Sequence, residues 1–198
     1  WFKVDAIGAT RQIFCKRGGS GNYEIQVNSA GRLSAWAPSG FSGSTVLIAN
    51  TWYNVSLARV SGTTYLYLNG ILEASRSNSG YQNSSNGISI GRDSYGGERF
   101  NGDIDEFAVW NSGLSAEEAL TLYNGNASLN LTSNSSNYTS SANLVMYLRL
   151  NEGTGNSSVD ATGNGHDATL NNGATWAVSQ LGGTVVDYSL GSGTDTLT

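Results

Sequence analysis

The stretch GDIDEF, Gly102 to Phe107, carries three carboxylates: Asp103, Asp105 and Glu106. Side chains alternate along a strand, so Asp103 and Asp105 share one face and Glu106 takes the other. Carboxylates paired across a sugar are the equipment of glycoside hydrolysis, one as acid and one as nucleophile or base. Acids at i, i+2 and i+4 would set three carboxylates on one face, and Phe107 occupies that third position. The acid–nucleophile pair is therefore missing. The single histidine, His166, lies in loop-like sequence with no Ser or Cys motif beside it. The chain reads as not an enzyme.

A second oxygen-rich stretch is DATGNGHD, residues 160–167. It offers Asp160, Asn164 and Asp167 among glycines that free backbone carbonyls to turn inward. The bland alternative is an Asx-turn loop at Asp160 and a carboxylate satisfied by backbone at Asp105. The aromatic residues form a third group. Tyr65 and Tyr67 share one face of an expected strand, while Trp36, Trp52, Tyr81 and Tyr95 fall near loops or strand ends. Aromatic faces stack on sugar rings. Tyr81 and Tyr95, in Gly/Ser/Asn loops, are thus candidate ligand-binding residues, against a default of core and cross-strand packing. Trp110 and Trp176 are expected in the core.

These groups must be held by strands. WFKVD (1–5), RQIFCKR (11–17), YEIQVN (23–28) and a run ending at Trp36 alternate as strands do. STVLIAN (44–50) follows. Val55–Val60 and Thr64–Leu68 form a hairpin about Ser61–Gly62, and Asn69–Gly70 is a second hairpin turn. GISIGRD (87–93) and RFNGDIDEFAVWN (99–111) are further strands. One helix is expected near residues 115–124, with Ser115 and Glu118 as a capping box and Gly125 as its stop. Residues 126–143, rich in Asn, Ser and Thr, read as a polar linker. The strand pattern resumes at Leu144.

Bulk composition agrees. Of 198 residues, 38% are apolar and 13% charged, with 26 Gly and a single Pro, which suits an all-β domain with tight polar turns. The net charge of −5 has no basic stripe in it, so nucleic acid is not an expected partner. No apolar window is long enough to span a membrane as a helix. Trp1 reads as mid-strand rather than as part of a signal peptide. Cys15 stands alone and reads as a small buried hydrophobe.

Two segments then become recognisable. TWYNVSLARVSGTTYLYLNGILEAS and ISIGRDSYGGERFNGDIDEFAVWNSGLSAEEALTLYNG, within residues 51–125, resemble the laminin-G-like, concanavalin-A-like jelly-roll family. The W-h-x-V strand, the L-Y-L-N-G hairpin, the I-G strand, the F-x-G-x-I-D-E strand and the L-S-x-E-E helix start occur in order. LVMYLRLNEGTGNSSVDATGNGHDATLNNGATW (144–176) resembles the family's first strand and first long loop, here near the end of the chain.

The resemblance implies an antiparallel two-sheet jelly-roll sandwich. Residues 1–125 would be its main body, and 144–198 its first strands. Those strands complete either the same domain, circularly permuted, or a neighbouring copy. The resemblance also implies one calcium between the first long loop and the I-D-E strand, held by Asp160, Asn164, Asp105 and Glu106. Ca²⁺ takes six to eight oxygens of these kinds. The expected role is a non-catalytic extracellular or cell-surface adhesion and assembly module. Its partners would be copies of itself or neighbouring repeats joined by strand complementation. The alternative is a calcium-dependent, lectin-like module that binds glycans.

Overall fold

The computed structural model describes residues 1–18, 21–37, 39–77, 86–95, 97–178 and 181. Its first strands are β1 (Phe2–Val4), β2 (Arg11–Gly18), β3 (Gly21–Val27), β4 (Leu33–Trp36) and β5 (Gly40–Ser42). Next come β6 (Trp52–Tyr53), β7 (Val55–Val60), β8 (Thr63–Leu68), β9 (Ile71–Ser77) and β10 (Ser89–Ile90). β11 (Gly102–Ile104) and β12 (Phe107–Trp110) precede the helix α1 (Ala116–Tyr123). β13 (Leu144–Leu148), β14 (Ser157–Ser158) and β15 (Ala168–Thr169) follow. The described strand pairs are antiparallel, as the all-β jelly-roll sandwich requires.

The largest sheet has the order β10-β2-β3-β4-β5, and β7-β8-β9 and β11-β1-β6 form three-stranded sheets. Strand periodicity decides which way each faces. On β8, Leu66 and Leu68 enter a cluster with Phe2, Val27, Leu33 and Ala35. Tyr67, on the opposite face, enters a second cluster with Leu122, Tyr138 and Tyr147. Tyr65 packs against that second cluster, its ring centroid 6.4 Å from that of Tyr67. These two tyrosines pack within the second cluster and are not a sugar platform. The hairpin turns match the sequence. Ser61–Gly62 and Asn69–Gly70 all have positive φ (48°, 82°, 50° and 75°), as a type I′ turn needs.

Four expectations are corrected. Residues 44–50 form no strand: Leu47 is buried but Val46 and Ile48 are exposed, and Tyr53 Oη rather than a ladder carbonyl takes the Ile48 N–H. Only Ser89–Ile90 of 87–93 pairs. The run 99–111 is split into β11 and β12 at Glu106, which sits at φ 52° with its N–H donated to Asp105 Oδ1. Trp176 also lies outside the core, half-buried, its Nε1 donating to Gly155 O.

Helix α1 begins where expected, with the Ser115/Glu118 capping box formed in both directions. Its left-handed cap is Asn124, one residue before Gly125. Glu118 has a second task. Its Oε1 accepts from Thr139 N (3.1 Å) and Ser140 Oγ (2.5 Å), so the 126–143 segment is fastened to the helix. Burial opposes ionisation of Glu118, but the bonds from Ser140, Ser115 and Thr139 outweigh it and hold the carboxyl below its ordinary value. Leu131 and Tyr138 of the same segment are buried, and Tyr138 Oη donates to Leu131 O. The segment is polar in composition yet packed at these points.

β13 pairs with β12 of its own chain, from Phe107↔Leu148 to Trp110↔Leu144. Met146, Tyr147 and Leu148 are all buried. Leu148 also bridges to Asp160, which brings the long loop back to the sheet.

Candidate functional site

The acidic residues of the I-D-E strand are engaged by protein groups. Asp103 pairs with Lys3 at 2.6 Å across β1 and β11. Asp105 is buried, with its Oδ1 on Glu106 N. Glu106 accepts from Tyr147 Oη and lies 3.8 Å from Arg149 Nε. Burial pushes the Glu106 carboxyl up to about 7; the Tyr147 hydroxyl and Arg149 only partly oppose this, and the Asp105 charge adds to it. Burial and the adjacent Glu106 charge push the Tyr147 hydroxyl up as well.

Asp160 is likewise full. Its Oδ1 accepts from Tyr147 N, Thr162 N and Thr162 Oγ1, and its Oδ2 from His166 N. Burial opposes ionisation, but these donors hold the carboxyl below its ordinary value. Asn164 turns its Nδ2 to Val145 O (2.9 Å). Asp167 accepts from Asp160 N.

The donor set as arranged does not fit Ca²⁺. A carboxylate has about four acceptor positions, and those of Asp160 face four protein donors. Among the described residues, no three His, Cys, Asp or Glu side chains gather where a metal could be held. The structure brings Asp105 and Glu106 side by side, and it links both Glu106 and Asp160 to Tyr147, one through the hydroxyl and one through the backbone. It makes them the fastening of β13 to β12.

Of the two candidate aromatics, Tyr81 lies outside the described residues. Tyr95 is 76% exposed, with the Arg17 guanidinium 5.8 Å from its ring centroid.

A different feature has the geometry of a ligand site. One face of β3, β4 and β5 borders an open groove of about 440 Å³, whose lining includes Gln26, Ser34, Trp36, Gly40, Ser42 and Arg76. Cross-strand register puts Gln26, Ser34 and Ser42 in one row and Trp36 and Gly40 in the next. Ser34 Oγ bonds Ser42 Oγ at 2.7 Å. Trp36 is 37% exposed. A methyl group at Gly40 would meet Trp36 Cε2, Cζ2 and Cδ2 at 2.9, 3.0 and 3.2 Å. Near-equal distances to three ring atoms mean that the indole lies with a face over Gly40. Its inner face is against the sheet and its outer face is toward the groove. Arg76 is exposed on the rim, with Nη1 on Gly40 O at 2.6 Å.

The sequence carried a signal for this groove. In LSAW, Leu33 and Ala35 are the core phase, while Ser34 and Trp36 are the polar phase. In YEIQV, Glu24 and Gln26 alternate with Ile25 and Val27 in the same way. A tryptophan on the polar phase of a strand is the informative residue. Gln26, Ser42 and Arg76 could not be grouped with it before the register was known.

A family model described as the concanavalin A-like lectin/glucanases superfamily matches residues 1–119. No curated protein matches the chain. Among solved structures, a candidate carbohydrate-binding protein from Bacteroides ovatus aligns with TM-score 0.62 at 23% identity, over 86% of this chain and 52% of that one. This chain thus spans about half the length of that protein. The heptameric SAP-like pentraxin of Limulus polyphemus aligns over 62% of this chain and 66% of its own, at 22% identity and TM-score 0.49.

Proposed function

We propose that this chain, which belongs to the concanavalin A-like lectin/glucanase superfamily, is a non-catalytic carbohydrate-binding module acting at the groove of Trp36. The observation that carries the reading is the Trp36 indole, laid over Gly40 with its outer face toward the groove and with Gln26, Ser34, Ser42 and Arg76 around it. An apolar ring face with a few convergent polar groups suits a sugar, which has an apolar face of C–H groups and a polar edge of hydroxyls. The non-catalytic part is supported by the carboxylates: Asp103 is paired, Asp105 is buried, and Glu106 is bonded to Tyr147. Pairing of β13 with its own chain favours a self-contained module over one joined to copies by a donated strand. We place the module outside the cell, where polysaccharides are met. Calcium has no part in the binding.

The test is a glycan array followed by calorimetry on the hits, with Trp36→Ala in parallel. Saturable binding lost in the variant, with no release of reducing sugar, is the expected result. Binding that survives Trp36→Ala would move the site elsewhere. No binding to any glycan would end the proposal.

A further inference from the structure

The polar groups around Trp36 are weighted toward donors. Among the described lining residues the one formal charge is the guanidinium of Arg76, which is exposed. Its Nη1 donates to Gly40 O at 2.6 Å, and the parallel N–H bonds of Nε and Nη2 have no partner among the described residues. The hydroxyls add a further donor. Asn28 Nδ2 donates to Ser34 Oγ at 2.9 Å, and Ser34 Oγ shares one hydrogen bond with Ser42 Oγ at 2.7 Å. Two hydroxyl protons meet in that single bond, so one O–H of the pair is left to donate. The Gln26 amide and the Ser39 hydroxyl also line the groove. No carboxylate does so among the described residues. The strong acceptors that would take protons from a neutral sugar's hydroxyls are therefore missing.

Two carboxylates belong to the same strands and neither is paired with Arg76. Glu24, opposite Trp36, is 2% exposed and ion-paired with Arg17 at 2.8 Å. Glu73, three residues before Arg76 on β9, accepts from Ser44 N, Thr45 N and Thr45 Oγ1. The net charge of −5 does not attract an anion, but charges beyond a Debye length of about 8 Å are largely screened, so selection here is local. Gly40 joins the cation to the aromatic. Its carbonyl holds the guanidinium, and a methyl on it would meet the indole at 2.9 Å. Cβ and O of one residue are about 3 Å apart, so Nη1 lies at most about 9 Å from the indole edge. One sugar ring lying on the indole, with a charged group on its rim, spans that distance.

Building on the glycan-binding reading, we infer that the groove selects an acidic sugar, which lays its ring on Trp36 and gives an anionic oxygen group, a uronate carboxylate or a sulfate ester, to Arg76. The free Nε and Nη2 edge fits two oxygens of such a group side by side, and hydrogen bonds to an ionised partner are about twice as strong as neutral ones. The leftover Ser34/Ser42 proton and the Gln26 amide supply further donors to the same acceptor-rich ligand. The bond to Gly40 O also ties β9 to β5. Loss of that tie would lower the melting temperature; it would not alter the choice between a charged and an uncharged sugar.

The experiment is calorimetry with matched pairs, in chelator so that no cation bridges. The pairs are trimers of galacturonate, glucuronate and mannuronate against their methyl esters, and a sulfated carrageenan tetrasaccharide against its desulfated form. The acidic member of at least one pair is expected to bind roughly tenfold or more tightly than its uncharged twin. That advantage shrinks as sodium chloride is raised. Which pair responds tells a carboxylate from a sulfate. Arg76→Gln brings the acidic member down to the affinity of its twin and leaves the twin unchanged, while Arg76→Lys keeps part of the preference. Arg76 is exposed, so both variants fold, which a circular dichroism melt verifies. Equal binding within every pair, or a preference that survives Arg76→Gln, overturns the inference; uncharged sugars that still bind and are lost in Trp36→Ala then leave the glycan reading standing. If no acidic sugar binds, the inference falls, and the neutral glycans of the array decide the glycan reading separately.

Discussion

Glu106 ties the acid–base behaviour of this protein to the closure of its sheets. Its side chain is 8% exposed, it accepts from Tyr147 on β13, and burial raises its carboxyl to about 7. In an unfolded chain the same group titrates at 4.5. Below about pH 4.5 it is neutral in both states and costs nothing. Between 4.5 and 7 the folded chain keeps a proton that the unfolded chain has lost, so stability falls as pH rises through that window. At about 1.4 kcal/mol per unit, the full effect is on the order of 3 kcal/mol. Glu106→Gln keeps an acceptor for Tyr147 and removes the charge. Urea unfolding at pH 5 and pH 8 should show the unmodified chain losing about 2.5 kcal/mol more than the variant. Glu24 is raised in the same direction, so the difference between the two proteins is the measure, not either slope alone. Equal slopes for the two would refute the reasoning, because the burial of Glu106 would then carry no electrostatic cost.

Gly40→Val should tilt the Trp36 indole off the sheet, weakening glycan affinity about tenfold while the melting temperature stays within a few degrees. Tryptophan fluorescence and calorimetry read this, and unchanged affinity would count against the platform. Glu118→Ala removes both the capping box and the ties to Thr139 and Ser140, and should cost roughly 2–3 kcal/mol in urea unfolding. Its carboxyl and that of Asp160 are both held low, so each contributes stability that is present above its unfolded value and lost as pH falls through its folded one. Asp160→Ala should cost about 3 kcal/mol by leaving four donors without their acceptor. Chelator should leave the melting temperature of the unmodified chain where it was; a clear fall would show that Asp160 and its neighbours rearrange to hold a cation.

Much of the fold can be read in the sequence because local rules carry it. The Ser61–Gly62 and Asn69–Gly70 turns are fixed by residue type, since few side chains tolerate positive φ. The α1 start is fixed by Ser115 and Glu118, three residues apart. The inward phase of β8 follows from a period of two. The loss of a strand at 44–50 could not be read, because Val46, Ile48 and their neighbours have strand-like propensity and only the absence of a partner ladder decides the matter.

The candidate site divides in the same way. Asp105, Glu106 and Asp160 were visible as an oxygen-rich set, but whether carboxylates meet a cation or meet N–H and O–H donors depends on what packs against them. Tyr147 and Thr162 fill that space. Sequence by itself determined that the chain is all-β, where its hairpins turn, and which family its motifs resemble. Only the tertiary structure decided that β13 closes on β12 of the same chain, that Gly40 lies beneath Trp36, and that Trp36, Glu24 and Cys15 stand in one row. Each of those depends on strand register. Register is set by the joint burial of residues far apart in the chain, and no local propensity encodes it.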